Sequence, residues 1–93
     1  MFRWEYAISE ILAHSQGEAD LQAIYVRLDK NFPLEDSDRR ATKWGGRPAY
    51  QHVTRSVISN MRKAGDTAWV SRGRYRLTDQ GRARFAREGE SYA

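Results

Sequence analysis

The chain contains no cysteine in 93 residues, which removes both a disulfide framework and any thiolate metal site. That composition fits a reducing compartment, and a cytoplasmic location is expected. No run of about 18 apolar residues occurs, and the N-terminus lacks the apolar stretch of a secretory signal. Neither secretion nor a membrane partner is therefore expected. The two histidines, His14 and His52, have no further nitrogen or sulfur ligands spaced for a tetrahedral site, so no metal is expected. Glu35, Asp36 and Asp38 crowd together but lack the glycine and final acid of a calcium loop. Also missing are a glycine-rich phosphate loop, a Ser/His/Asp order and a carboxylate pair beside a base. The expectation is no catalytic residue, no cofactor and no enzyme.

What is present is charge, unevenly spread. The net charge is +4. Residues 1–38 hold three basic residues (Arg3, Arg27, Lys30) against eight acids, whereas residues 39–93 hold thirteen against four (Asp66, Asp79, Glu88, Glu90). A split of this kind suggests a basic binding surface on one side and a solvated face on the other. Ninety-three residues make one small domain, long enough to bury roughly two-thirds of its unfolded surface.

Apolar spacing supplies the elements. Trp4, Ile8, Ile11 and Leu12 form the stripe of a first helix that Gln16-Gly17 stops. Leu21, Ile24, Tyr25, Leu28 and Phe32 predict a second from about Ala19 to Asn31, with Glu18 and Asp20 at its positive start and Phe32-Pro33 at its end. Residues 33–47 read as a long surface loop with at most one short helical turn. Pro48 suits the first turn of a third helix, which places Tyr50, Val53, Val57, Met61 and Ala64 on one side. The opposite side carries Gln51, His52, Arg55, Ser59, Arg62 and Lys63, and Gly65 is a natural C′ residue. Residues 67–71 and 74–77 read as a hairpin turning at Arg72-Gly73, and Thr78 can cap a last helix from Asp79 to about Arg87.

The order helix, helix, helix, strand, strand, helix predicts an α+β fold, mostly α. Its expected form is a winged helix-turn-helix with a three-helix core, a two-stranded β wing and a C-terminal helix. Residues 1–88 are the expected domain and residues 89–93 a disordered tail. A cationic helix beside a cationic loop is how a protein reads a groove and grips flanking phosphates, so double-stranded DNA is the expected partner. Arg55, His52, Gln51, Ser59 and Arg62 are candidates on the helix, since Arg pairs with guanine and Gln with adenine in the major groove. Arg72, Arg74 and Arg76 are candidates on the wing, for phosphates or a minor groove. Lys43 and Arg47 are candidates at the start of the third helix, which itself attracts phosphate. A bland reading stands beside each: helices need a solvated face, and hairpin tips are commonly charged. Arg82, Arg84 and Arg87 are weaker candidates, because Glu88 and Glu90 lie within reach. Trp4 is expected in the core. Trp69 alternates with Val70, so one of them should face outward, while Trp44 is harder to assign.

The segment Arg62-Lys63-Ala64-Gly65, followed by Ser71-Arg72-Gly73-Arg74-Tyr75-Arg76-Leu77-Thr78-Asp79-Gln80-Gly81-Arg82, resembles the N-terminal winged-helix domain of Mrr-like restriction proteins. Gly46-Arg47-Pro48-Ala49-Tyr50 and the Ile11-Leu12 to Gly17-Glu18-Ala19 opening resemble it too, and the likeness is most specific from about residue 45 to 82. After Ala64-Gly65 that family carries two apolar residues, where this chain has Asp66-Thr67. The resemblance implies a DNA-recognition role in a restriction or defence system, including the sensing of modified DNA. It also implies a nuclease domain or a partner subunit to do the cutting. A small transcriptional regulator and a protein-interaction winged helix remain alternatives. The target sequence and the oligomeric state are open.

Overall fold

Ile8, Ile11 and Leu12 do what their spacing predicts. In the computed structural model, which describes residues 1–43 and 45–92, they line the buried side of α1 (Arg3–His14). Trp4 is half-buried and stacks on Phe32, with ring centroids 4.6 Å apart. The left-handed pair Gln16 and Gly17 (φ 60° and 89°) then reverses the chain into β1 (Glu18–Asp20). Ile24, Tyr25 and Leu28 of α2 (Leu21–Asn31) face the same core. A single short helix, α3 (Asp36–Arg39), interrupts the expected loop.

The longest element is α4 (Ala49–Ala64), which buries Tyr50, Thr54, Val57, Ile58 and Met61. Gly65 ends it in the left-handed conformation at φ 92°, as a C′ glycine should. Strands β2 (Thr67–Ser71) and β3 (Arg74–Leu77) follow, then α5 (Asp79–Glu88). Thr78 caps α5 by accepting a hydrogen bond from the Gly81 amide at 3.0 Å, and its hydroxyl donates to the Gly65 carbonyl at 2.6 Å. Ile8, Leu12, Ile24, Leu28, Ile58 and Met61 are the largest sealed apolar side chains. Truncating any one to Ala should cost about 2–5 kcal/mol.

Three expectations need correction. The second helix begins at Leu21 rather than near Ala19, because Glu18–Asp20 extends and pairs with β3. The sheet is therefore three-stranded and antiparallel, in the order β1-β3-β2, not a two-stranded hairpin. A strand of Glu-Ala-Asp has no β propensity to advertise it, and only the distant partner strand makes it one. Residues 89–92, expected as a tail, form a 3-10 turn, and Gly89 is buried against Tyr6 and Phe85.

Asp66 and Thr67, which stand where the resembled family has apolar residues, are both buried yet fully bonded. The Asp66 carboxylate accepts from Arg84 at 2.8 Å and from Gln80 at 3.0 Å. The Thr67 hydroxyl donates to the Ile58 carbonyl at 3.3 Å. Arg84 also reaches Glu5 and Glu88, so one guanidinium ties α1 and α5 to the start of β2. Bonds to Asp66 and then Glu5 raise its pKa above the ordinary arginine value. Among the described residues no helix is long and apolar enough to cross a membrane.

Candidate nucleic-acid interface

Because α4 buries one side, its opposite side must meet solvent. His52, Arg55, Ser56, Asn60 and Lys63 are exposed there, and Gln51, Ser59 and Arg62 are half-buried at the margin. No acid occurs between Tyr50 and Gly65. Arg55 and Lys63 have no carboxylate partner among the described residues.

The segment before α4 is a narrow finger rather than a slack loop. Ala41 bridges Pro48, the Thr42 amide donates to the Arg47 carbonyl at 2.8 Å, and the Ala49 amide donates to the Arg40 carbonyl at 2.8 Å. Gly45 and Gly46 both take positive φ (75° and 67°), and nothing lies within 4 Å of where a Cβ would stand on either. The finger thus leaves the body of the protein and returns Arg47 to the foot of α4. Lys43, Arg47 and Arg40 are exposed along it with no carboxylate partner among the described residues. Trp44 lies outside the described residues.

The β2–β3 hairpin differs from what its sequence suggests. Arg74 is held by two β1 carboxylates, donating to Glu18 and to Asp20 at 2.9 Å each. Those bonds, first to Glu18 and then to Asp20, raise its pKa above the ordinary value. It is therefore not an open phosphate clamp. The register explains why: Asp20 lies opposite Arg74 and Glu18 opposite Arg76, so all four side chains share one face of the sheet. The turn is also tethered, since the Leu21 amide donates to the Gly73 carbonyl at 2.8 Å. Arg72 and Arg76 remain exposed and unpaired among the described residues.

Arg62 faces β2 from α4 and stacks its guanidinium 4.0 Å above the Trp69 ring centre. Trp69 is nonetheless 60% exposed and Val70 45%, so the edge strand β2 shows apolar side chains on both faces. On α5, Arg84 and Arg87 turn to Glu88, as their spacing allowed, while Arg82 covers Gly17.

The structure therefore places Gln51, His52, Arg55 and Ser59 on the outer side and margin of α4, and Lys43 and Arg47 on the finger that leads into it. It sets Arg62 against Trp69 and commits Arg74 to β1. Sequence reasoning passed over Arg40 and Tyr25. Arg40 was visible only as half of a basic pair, and Tyr25 only as a member of an apolar stripe. The hydroxyl at the end of that ring was the available signal, since a buried Tyr normally needs a partner for it. Among the described residues no group of His, Asp and Glu is arranged to hold a metal ion. Comparisons with family models, curated proteins and solved structures return no match for this chain.

Proposed function

We propose that this chain is a double-stranded DNA-binding domain built as a winged helix-turn-helix. In this reading α4 enters the major groove, the finger lies along the adjoining backbone, and β2–β3 form a short wing. The element order with β1 pairing β3 supports the fold assignment. One observation carries the function: the outer side of α4 has no acid, and its exposed Arg55 and Lys63, like Lys43 and Arg47 on the finger that precedes it, have no carboxylate partner among the described residues. A surface of this kind gains affinity by releasing counterions from phosphates, which makes binding steeply salt-dependent.

The likeness of residues 45–82 to Mrr-like restriction proteins supports a narrower proposal. The domain would serve as the DNA-recognition part of a restriction or defence system, beside a nuclease domain or partner subunit. Sensing of modified DNA is one form this takes, and a small transcriptional regulator is the alternative. A protein-interaction role has one specific observation in its favour, the exposed Trp69 and Val70 on the unpaired edge of β2.

A fluorescence-anisotropy titration of the full chain against random-sequence duplex, repeated at several salt concentrations, tests the main reading. Log K should fall with log salt at about 0.9 per phosphate neutralised. Binding that is absent, or indifferent to salt, would refute duplex recognition and favour the edge-strand alternative.

A further inference from the structure

Among the described residues Trp69 is the most exposed of the large hydrophobic side chains, at 60%. It does not hang loose. The Arg62 guanidinium lies 4.0 Å from its ring centre and covers one face of the indole. With one face covered, exposure that large has to come from the other face and the ring edge.

Strand pairing fixes where the ring points. Trp69 stands opposite Tyr75, which stands opposite Ala19 of β1, so these three share the sheet face on which Ala19 is buried. Glu18 and Asp20 flank Ala19 and therefore lie on the other face. Trp69 projects on the helix side of the sheet, where Arg62 meets it. On α4, Arg55, Ser59 and Arg62 recur at i, i+4 and i+7 and so form one line along the helix. From Arg55 to Arg62 is a rise of about 10 Å, at 1.5 Å per residue. The indole therefore stands at the far end of the line that the major-groove reading assigns to the duplex. Between Asp38 and Asp79 the sole acid in the sequence is Asp66, which is buried and bonded to Arg84 and Gln80. A ligand lying over Trp69 finds cations, and no open carboxylate, from α4, β2 and β3.

Addition of a partner's β-strand would be a different use of this edge. It is disfavoured by the pairing of β2 with β3, whose register shifts between Trp69 and Ser71. Such a bulge breaks the regular row of edge donors and acceptors, and it is a common device for re-aiming a side chain. What remains is an aromatic plane, backed by a cation, beside a cationic helix. Grooves that hold unpaired nucleotides combine these parts.

We propose that Trp69, backed by Arg62, is a stacking platform for an unpaired base, so that the domain prefers duplex DNA carrying an unpaired nucleotide beside the paired region. The proposal rests on the duplex-binding reading above. An intact duplex keeps its base faces inside the stack and offers Trp69 only sugar and phosphate. An unpaired nucleotide offers the face itself. Stacking needs a flat surface held in place, which the guanidinium behind the indole supplies, and its charge suits the phosphate that arrives with the base. Every base has such a face, so the preference should be indifferent to base identity.

Anisotropy titrations of the full chain against three DNAs test this: a blunt duplex, the same duplex with a short unpaired overhang, and that duplex with an abasic overhang. The ordinary overhang should tighten binding by about tenfold over the blunt duplex, the worth of one stacked base. The abasic overhang keeps the phosphates without the bases and should lose most of that gain. Trp69→Leu keeps apolar bulk without the ring. It should bind blunt duplex as wild type does and show no preference for the overhang, whereas Trp69→Phe should keep part of it. Both variants should melt near wild type, because the position is exposed. An abasic overhang that binds as tightly as the ordinary one would overturn the proposal, since charge alone would then explain the gain. So would a Trp69→Leu variant that keeps the preference, or one weakened equally on all three DNAs, which would set the indole against duplex backbone. The abasic comparison uses wild type and so decides even where a variant folds poorly. A chain that binds none of the three DNAs fails the duplex reading first. One that binds blunt and overhung duplex alike keeps that reading, loses this proposal, and leaves the β2 edge to a protein partner.

Discussion

The outer side of α4 and the outer face of the sheet both carry basic side chains, yet they differ electrically. On α4, Arg55 and Lys63 stand in solvent with no acid on the helix to meet them. On the sheet, β1 lays Glu18 and Asp20 beside β3, and Arg74 is taken up by both. A cation already bonded to two carboxylates has little left to offer a phosphate. The Gly73 turn, moreover, is bonded to the start of α2. Residue type alone does not make a binding surface. The partners that the fold supplies decide which cations remain available.

The comparison can be broken most directly at α4. Reversing charge in an Arg55→Glu, Lys63→Glu variant should weaken duplex binding by roughly a hundredfold or more, since two phosphate contacts become repulsions. Circular dichroism should show the helix intact, because both positions are exposed. If that variant binds like wild type, α4 is not the reading element.

A second test concerns the arginine that holds the fold rather than the ligand. Arg84→Ala leaves the Asp66 carboxylate buried with only Gln80 beside it. A loss of about 2 kcal/mol in urea unfolding is expected, below the range for a fully buried pair because Arg84 is partly exposed. Substituting Arg82, which has no ion-pair partner among the described residues, should change stability far less.

The third test sharpens the contrast in the opposite direction. Glu18→Gln with Asp20→Asn should release Arg74 and add cationic surface to the sheet. Duplex affinity should then rise, by about tenfold at low salt, with a steeper salt slope. Adding Arg74→Ala should abolish the gain. No gain in the double variant would mean that the sheet never faces the nucleic acid.

The smallest effect is expected with pH. Glu88 is held down to about 2, first by the Met1 ammonium and then by Arg84, from an ordinary value of 4.5. A carboxylate with a lowered folded pKa contributes stability that is complete above pH 4.5 and is lost as pH falls from there towards 2. Urea midpoints measured across that window should fall more steeply for wild type than for Glu88→Gln.

Much of the architecture was legible because it rests on local rules. The stripes of α1, α2 and α4, the Gly65 stop, the Arg72-Gly73 turn and the Thr78 cap each follow from residues within a few positions of one another. β1 was not legible, since Glu18–Asp20 becomes a strand only by pairing with β3 more than fifty residues later. The finger was hidden for a similar reason: a charged, glycine-containing stretch looks slack until Ala41 and Pro48 are seen to bridge.

The candidate site divides in the same way. The basic side of α4 could be read from a helical wheel, because a helix fixes which residues share a side. Arg74 could not be read correctly, because its neutralising acids lie 54 and 56 positions away. Nor could the unpartnered, buried Tyr25 hydroxyl, whose ring obeys the apolar pattern. By itself, then, the sequence determined the helices, the turns and which half of the chain is cationic, because these depend on short-range geometry and composition. Only the tertiary structure decided which of those cations stay unpaired and what they surround, because electrostatic pairing depends on distance in space, which chain order does not record.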